Sequence, residues 1–236
     1  ILSGGEPAAL TLLDAVIRTV KLGHLFTQGT VDSNEVWLEV TVSSGDRVIG
    51  ASGKFDADRE VDPWSHFVNV FLLDVNGRRI DRRNPQDIFT PLYNHQIPPG
   101  AGQVVHYQLV LPEQLDGPIT VEIKLNYRKF DKQYTDFIAR SHKPGDRDIR
   151  GLDAGTGQLP NRLPVTVLAV DRITFPVEGD DTDVTNDPSP VKTWIRWNDY
   201  GIGLFLKGKS ELRQSGAAFA EVEKLGRYDG PLNLAR

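Results

Sequence analysis

Ile119-Thr120-Val121-Glu122-Ile123-Lys124-Leu125-Asn126-Tyr127-Arg128 alternates apolar and polar residues without a break. Successive side chains of an extended chain point to opposite faces, so a period of two marks a strand with one face buried and one wet. Val105, Tyr107, Leu109 and Leu111 alternate in the same way just upstream, and the intervening Asp116-Gly117-Pro118 predicts that the two strands pair as neighbours across a turn. Glu35 to Val42 repeats the pattern, setting Val36, Leu38, Val40 and Val42 against Glu35, Trp37, Glu39 and Thr41, and Ser44-Gly45-Asp46 follows as a hairpin turn. His66 to Asp74 reads as a further strand ending in Val75-Asn76-Gly77, where Asn-Gly supplies the positive φ of a tight hairpin. Short strands bounded by Gly, Pro and Asn turns, with no helical period between them, predict a mainly β chain. The expected architecture over 1–177 is an antiparallel β-sandwich, Ig-like or fibronectin-like.

The flanks are read outward from that centre. Leu10 to Lys21 fits a helical stripe through Leu10, Leu13, Ile17 and Val20, but the β-branched residues between Val16 and Val20 favour a strand. Phe130 to Arg140 suits a short helix or irregular crossover, Ser141 to Asn161 an exposed loop, and Leu163 to Val177 a return to the sheet. Residues 178–190 are acidic, turn-forming and nearly free of apolar side chains, which predicts a linker. After it the period changes. Trp194, Trp197, Ile202, Phe205 and Leu206 suit a helix ended by Gly208, and Leu212, Phe219, Val222 and Leu225 suit a second helix returning against it. Residues 191–236 are therefore expected to form an α-helical hairpin of tetratricopeptide type. Gly201 and Ala235 are 34 residues apart, the period of that repeat, and Asn233-Leu234-Ala235-Arg236 is placed to open the next one. One repeat cannot bury its own face, so an apolar surface awaiting further repeats is expected.

Composition narrows the function. A net charge of -5, with Lys and Arg dispersed, argues against nucleic acid as a partner, since phosphate neutralisation needs a concentrated basic surface. No run approaches the roughly 18 apolar residues of a membrane span, and Ile1 to Glu6 lacks the basic flank and apolar centre of a signal peptide. The chain begins at Ile1 and ends at Arg236 inside a helical pattern, which reads as a processed or truncated piece. With no cysteine, disulfides, thiolate metal sites, cysteine nucleophiles and covalent haem attachment through C-x-x-C-H are excluded within these residues.

A set of short motifs recurs in order: Lys21-Leu22-Gly23-His24-Leu25-Phe26-Thr27-Gln28-Gly29-Thr30-Val31-Asp32, Val36-Trp37-Leu38-Glu39-Val40, Asp62-Pro63-Trp64-Ser65-His66-Phe67, Ile97-Pro98-Pro99-Gly100-Ala101, Asn126-Tyr127-Arg128-Lys129-Phe130, Leu163-Pro164-Val165-Thr166-Val167 and Trp197-Asn198-Asp199-Tyr200-Gly201-Ile202-Gly203-Leu204. The set resembles the region that follows the haem motifs in bacterial multihaem cytochrome c proteins continuing into tetratricopeptide repeats. The resemblance implies an exported, periplasmic or extracellular bacterial setting and electron transfer through haems held elsewhere. It also implies a haem c contact from another segment or partner subunit rather than a haem of this chain's own. Such family members read Gly-His-x-Phe-Pro-Gly-Gly where this chain has Thr27 and Gln28 before Gly29, so the loop geometry at His24 is expected to differ. The helical hairpin also carries about two extra residues near Lys209 to Ser215 relative to the 34-residue repeat.

Candidate sites follow. His24 is the candidate axial ligand of a haem, because neutral imidazole ligates haem iron, against the plainer reading of a loop histidine bonded to backbone. His66, His95, His106 and His142 show no zinc-type spacing and read as structural. Asp180, Asp181 and Asp183 offer loop oxygens for calcium but lack the glycine and closing glutamate of an EF-hand; a solvated loop is the plainer account. Asp56, Asp58 and Asp62 stand likewise. Asp62, Ser65 and His66 do not make a triad, since neighbours on one extended segment project to alternate faces. Trp194, Trp197 and Phe205 are candidate partner-binding residues, with burial in helix packing as the default for the two tryptophans. Trp37 and Trp64 suggest a carbohydrate-stacking platform, weighed against core aromatics. Gly201-Ile202-Gly203 lies in a helical pattern and suits close packing rather than a phosphate loop. The expected function is a non-catalytic structural and interaction module of a multihaem cytochrome assembly, with homo-oligomerisation possible; the alternative is a carbohydrate- or calcium-binding sandwich.

Overall fold

The computed structural model describes residues 10–27, 29, 32–143, 145–146 and 151–235. Ile1 to Glu6, Gln28, Thr30, Val31 and Arg236, on which parts of the readings above fall, lie outside the described residues, as do portions of the 141–161 loop. Along the chain run β1 (Leu10–Arg18), β2 (Glu35–Ser44), β3 (Arg47–Ser52), β4 (Val70–Leu73), β5 (Thr90–Asn94), β6 (Gly102–Val110), β7 (Ile119–Arg128), α1 (Lys132–Ser141), β8 (Thr166–Phe175), α2 (Thr193–Lys207), α3 (Leu212–Lys224) and α4 (Asp229–Leu234). The chain is mainly β, its strands pair antiparallel, and three of its helices gather at the C-terminal end.

β2 and β7 form the centre of a sheet ordered β3-β2-β7-β8, paired residue for residue from Glu35 with Arg128 to Ser44 with Ile119. Gly45, at φ +53, takes the first central position of the β2–β3 turn, the place a type II′ hairpin reserves for glycine. β1 pairs along its whole length with β6 and makes a separate ribbon, and β4 pairs with β5. The ribbon's odd-numbered face, with Ala15, Ile17 and Val105, shares one apolar core with Val36, Leu38, Val40 and Val42 of β2 and Ile119 and Val121 of β7. Each of the Val, Leu and Ile side chains among them contributes about 1.5–3 kcal/mol on burial.

Part of the ribbon's even-numbered face is covered as well, by α2, while Leu12, Val16 and Val110 stay exposed. The Arg18 guanidinium meets the Asp199 carboxylate at 2.6 Å, the Tyr200 hydroxyl donates to Asp14 at 2.5 Å, and Lys207 Nζ donates to the Val104 carbonyl at 3.1 Å. Glycines permit that approach: a Cβ on Gly203 would stand 2.8 Å from Val104 Cγ2 and 3.1 Å from its backbone nitrogen, and one on Gly102 would stand 3.0 Å from the Asp199 carbonyl oxygen. Gly201 similarly accepts the Phe219 ring of α3, so both glycines serve close packing. Gly208, at φ +107, closes α2 as its sequence position predicts.

Two expectations change. β6 and β7 are not neighbours across Asp116-Gly117-Pro118; β6 pairs with β1 and β7 with β2 and β8. Residues 111–118 instead cross between the layers, tied to the β2–β3 turn by Arg47 to Asp116, by Ser44 Oγ donating to the Gly117 carbonyl, and by Asp116 N–H donating to Ser44 Oγ. β2 is not half-buried at its start. Glu35, Val36, Trp37 and Leu38 are all buried, because residues 66–68 lie along the strand, with Leu38 N–H donating to the His66 carbonyl and Val68 N–H to that of Val36. Residues 178–190 contain no helix or strand, yet Asn186 reaches back to β8, accepting from Thr174 N–H at 2.7 Å and donating to its carbonyl at 2.8 Å.

Candidate functional site

His24 lies in the exposed turn after β1, held at its far side where Phe26 exchanges backbone hydrogen bonds with Ile97 at 2.9 and 2.5 Å. Its Nδ1 stands 2.8 Å from the Leu25 carbonyl oxygen. A carbonyl only accepts, so Nδ1 carries the proton and the lone pair sits on Nε2 of an exposed ring. Metal-ligating histidines are oriented in this way, one ring nitrogen donating to a backbone carbonyl while the other faces the metal. His24 therefore presents an exposed ring with one nitrogen engaged by backbone.

Among the described residues no group of three or more His, Cys, Asp or Glu side chains is placed to hold a metal ion, so Asp180, Asp181 and Asp183 are not brought together as calcium ligands. The local reason is visible at Asp180, whose Oδ1 accepts from Thr182 N–H at 2.9 Å and from its hydroxyl at 2.5 Å; these bonds hold its carboxyl below the usual range.

The tandem tryptophans are less buried than their helical spacing predicts. Trp197 stays 38% exposed with its ring edge-on to Tyr200, and Trp194 is capped by Arg227 at 4.2 Å from its centroid. Phe205, 39% exposed, lines an apolar groove of 270 Å³ with Ile202, Leu206, Phe219 and Ala101. Trp37 and Trp64 cannot form a stacking platform. Trp37 is fully buried with Nε1 donating to the Gly53 carbonyl at 2.9 Å, whereas Trp64 is 90% exposed.

Tertiary structure gathers groups that the sequence scatters. His66 stacks on His95 at 4.7 Å, His95 on Tyr93 at 4.4 Å, and Tyr93 packs against Phe71. His66 Nε2 pairs with Gln103 Oε1 and His95 Nδ1 with the Phe67 carbonyl, each at 3.0 Å. Desolvation leads the causes that bring the His66 imidazole down to about 4 and lower that of His95. The Ser65 hydroxyl donates to the Asp62 carbonyl, away from His66. At the β-to-helix contact, His106 Nδ1 lies 2.5 Å from Asp14 Oδ1. At the bottom of the sheet, Glu35 accepts from Arg128 and Asp131 from Arg79; burial raises both carboxyls, opposed by those guanidiniums. Alternating polar residues in β2 and β7 are the sequence signal of the Glu35–Arg128 pair. No comparable signal links His66 to His95.

No protein-family model matches the chain, and no curated protein does. Among solved structures the chain is similar to a penta-heme cytochrome c552 from Thermochromatium tepidum, with a TM-score of 0.44 and 13% identity. That alignment covers 70% of this chain and spans 36% of the other. A likeness at that level identifies neither fold family nor function. The sequence holds no cysteine, so no haem is attached covalently within it, and no helix among the described residues is long and apolar enough to cross a membrane.

Proposed function

We propose that this chain is a non-catalytic structural and interaction module of an exported multihaem cytochrome c electron-transfer protein or assembly. In this reading an Ig-like or fibronectin-like β body over 1–177 braces a haem-bearing segment or subunit in the periplasm or outside the cell. The acidic stretch over 178–190 joins it to a tetratricopeptide-type hairpin, on which Trp194, Trp197 and Phe205 receive a partner. His24 supplies an imidazole to a haem carried elsewhere; the haem supplies the redox chemistry, and this chain positions it. Support comes from the ordered motifs around His24, Trp64 and Trp197, and above all from one observation: the exposed His24 ring has its Nδ1 proton committed to the Leu25 carbonyl and its Nε2 open.

The test is titration of the protein into a ferric c-type haem peptide with one axial histidine and an open sixth position. Saturable conversion to the low-spin, two-imidazole spectrum is expected, lost in His24→Ala and kept in His142→Ala. A spectrum that responds equally to both variants, or not at all, refutes the ligand role.

A further inference from the structure

We propose that residues 178–190 guard the open edge of the sheet: the Asn186 side chain takes the place of a neighbouring strand on β8, and its release lets β8 pair antiparallel with the β8 of a second copy. The inference is independent of the haem reading and rests on the hydrogen bonds at that edge.

β8 is the outermost strand of the order β3-β2-β7-β8, bonded to β7 on one side and, among the described residues, to no strand on the other. Eight of its ten residues, from Thr166 to Ile173, are exposed, and Val167, Leu168, Val170 and Ile173 among them are apolar. A long edge strand of that composition is a template for pairing with another chain, and folded proteins that keep such an edge block it.

The block is built on the backbone of Thr174. Its N–H donates to Asn186 Oδ1 at 2.7 Å and its carbonyl accepts from Asn186 Nδ2 at 2.8 Å. Those are the two bonds that a residue exchanges with its partner in a hydrogen-bonded antiparallel pair, so a side-chain amide stands in for a strand's peptide groups. Backbone groups alternate in direction along a strand, so Arg172 faces the same edge, and its N–H is taken by Asp171 Oδ1 at 2.9 Å. Pro188 and Pro190 restrict the chain just beyond Asn186, which lowers the entropy lost in holding it there.

Once the guard is lifted, β8 fits itself. Antiparallel pairing centred on Val170 sets Thr174 opposite Thr166 of the second copy, Ile173 opposite Val167, Arg172 opposite Leu168 and Asp171 opposite Ala169, so no like charges face each other directly. The Asn186 amide and a second strand compete for the same N–H and carbonyl of Thr174. The contact within the chain prevails in dilute solution because it gives up no translational freedom.

The experiment compares wild type, Asn186→Ala, and Asn186→Ala combined with Val170→Lys, by sedimentation velocity over a dilution series and by amide exchange of β8. Asn186 lies outside every helix and strand, so its replacement leaves the fold intact, which unchanged exchange in β2 and β7 would verify. In dilute Asn186→Ala the Thr174 amide should exchange about tenfold faster, the worth of one hydrogen bond. On concentration this variant should self-associate more than wild type, with the β8 amides regaining protection. Lysine at 170 should abolish the added association and keep the faster exchange, because a charge on an edge strand opposes pairing. A Thr174 amide that opens without added association would overturn the proposal, as would an unmoved Thr174 amide or added association that Val170→Lys leaves unchanged.

Discussion

Substituting His66 by glutamine should flatten the acid limb of this protein's stability curve. The ring is mostly withdrawn from water between His95 and Gln103, and burial brings it from the ordinary histidine value of 6.5 down to about 4. The unfolded chain therefore binds a proton that the folded chain refuses between those two values. Stability contributed by the neutral ring is fully present above pH 6.5 and is lost as the pH falls through the window toward 4. At 1.36 kcal/mol per unit, the loss amounts to about 3 kcal/mol by the bottom of the window. His95, also lowered by burial, acts with the same sign. Urea unfolding from pH 7.5 to 4 would measure it. Glutamine keeps a polar group near Gln103 but carries no proton, so the difference between wild type and His66→Gln should shrink as the pH falls, with carboxylate contributions common to both cancelling. Parallel curves across the whole range would refute the desolvated-stack reasoning.

Other substitutions probe the layers separately. Arg128→Met leaves the Glu35 carboxylate buried without its partner and should cost about 3–5 kcal/mol, whereas Glu35→Leu with Arg128→Met should recover most of that loss in urea unfolding. Gly203→Ala drives a methyl into Val104 of β6 and should destabilise by about 1–3 kcal/mol, with faster amide exchange in α2 than in β7. Trp37→Phe removes the donor to Gly53 and opens space in the core, a loss of about 2–4 kcal/mol; Trp64→Ala, at a 90% exposed site, should stay within about 0.5 kcal/mol.

Candidate groups were legible to different depths. His24 stood out because its residue type and motif mark it, but the commitment of its Nδ1 to the Leu25 carbonyl is a matter of local backbone geometry. The acidic run at 180–183 looked like a ligand supply, because composition reports oxygen atoms and not their directions; Asp180 spends its oxygen on Thr182. Trp37 and Trp64 looked alike until the 66–68 segment covered one of them.

Local sequence alone determined β2 and β7 through alternation, the strand nature of β1 through its β-branched residues, the Gly45 turn, and the helices ended or packed by Gly208, Gly201 and Gly203. Each depends on interactions within a few residues: alternation, turn stereochemistry and the absence of a Cβ. Tertiary structure decided which strands are partners, sending β6 to β1 rather than across Asp116-Gly117-Pro118 to β7. It also placed α2 on the ribbon's second face and stacked His66 on His95. Strand pairing and layer contact depend on burying complementary faces far apart in sequence, and the pattern of one strand records that it has an apolar face without recording what will cover it.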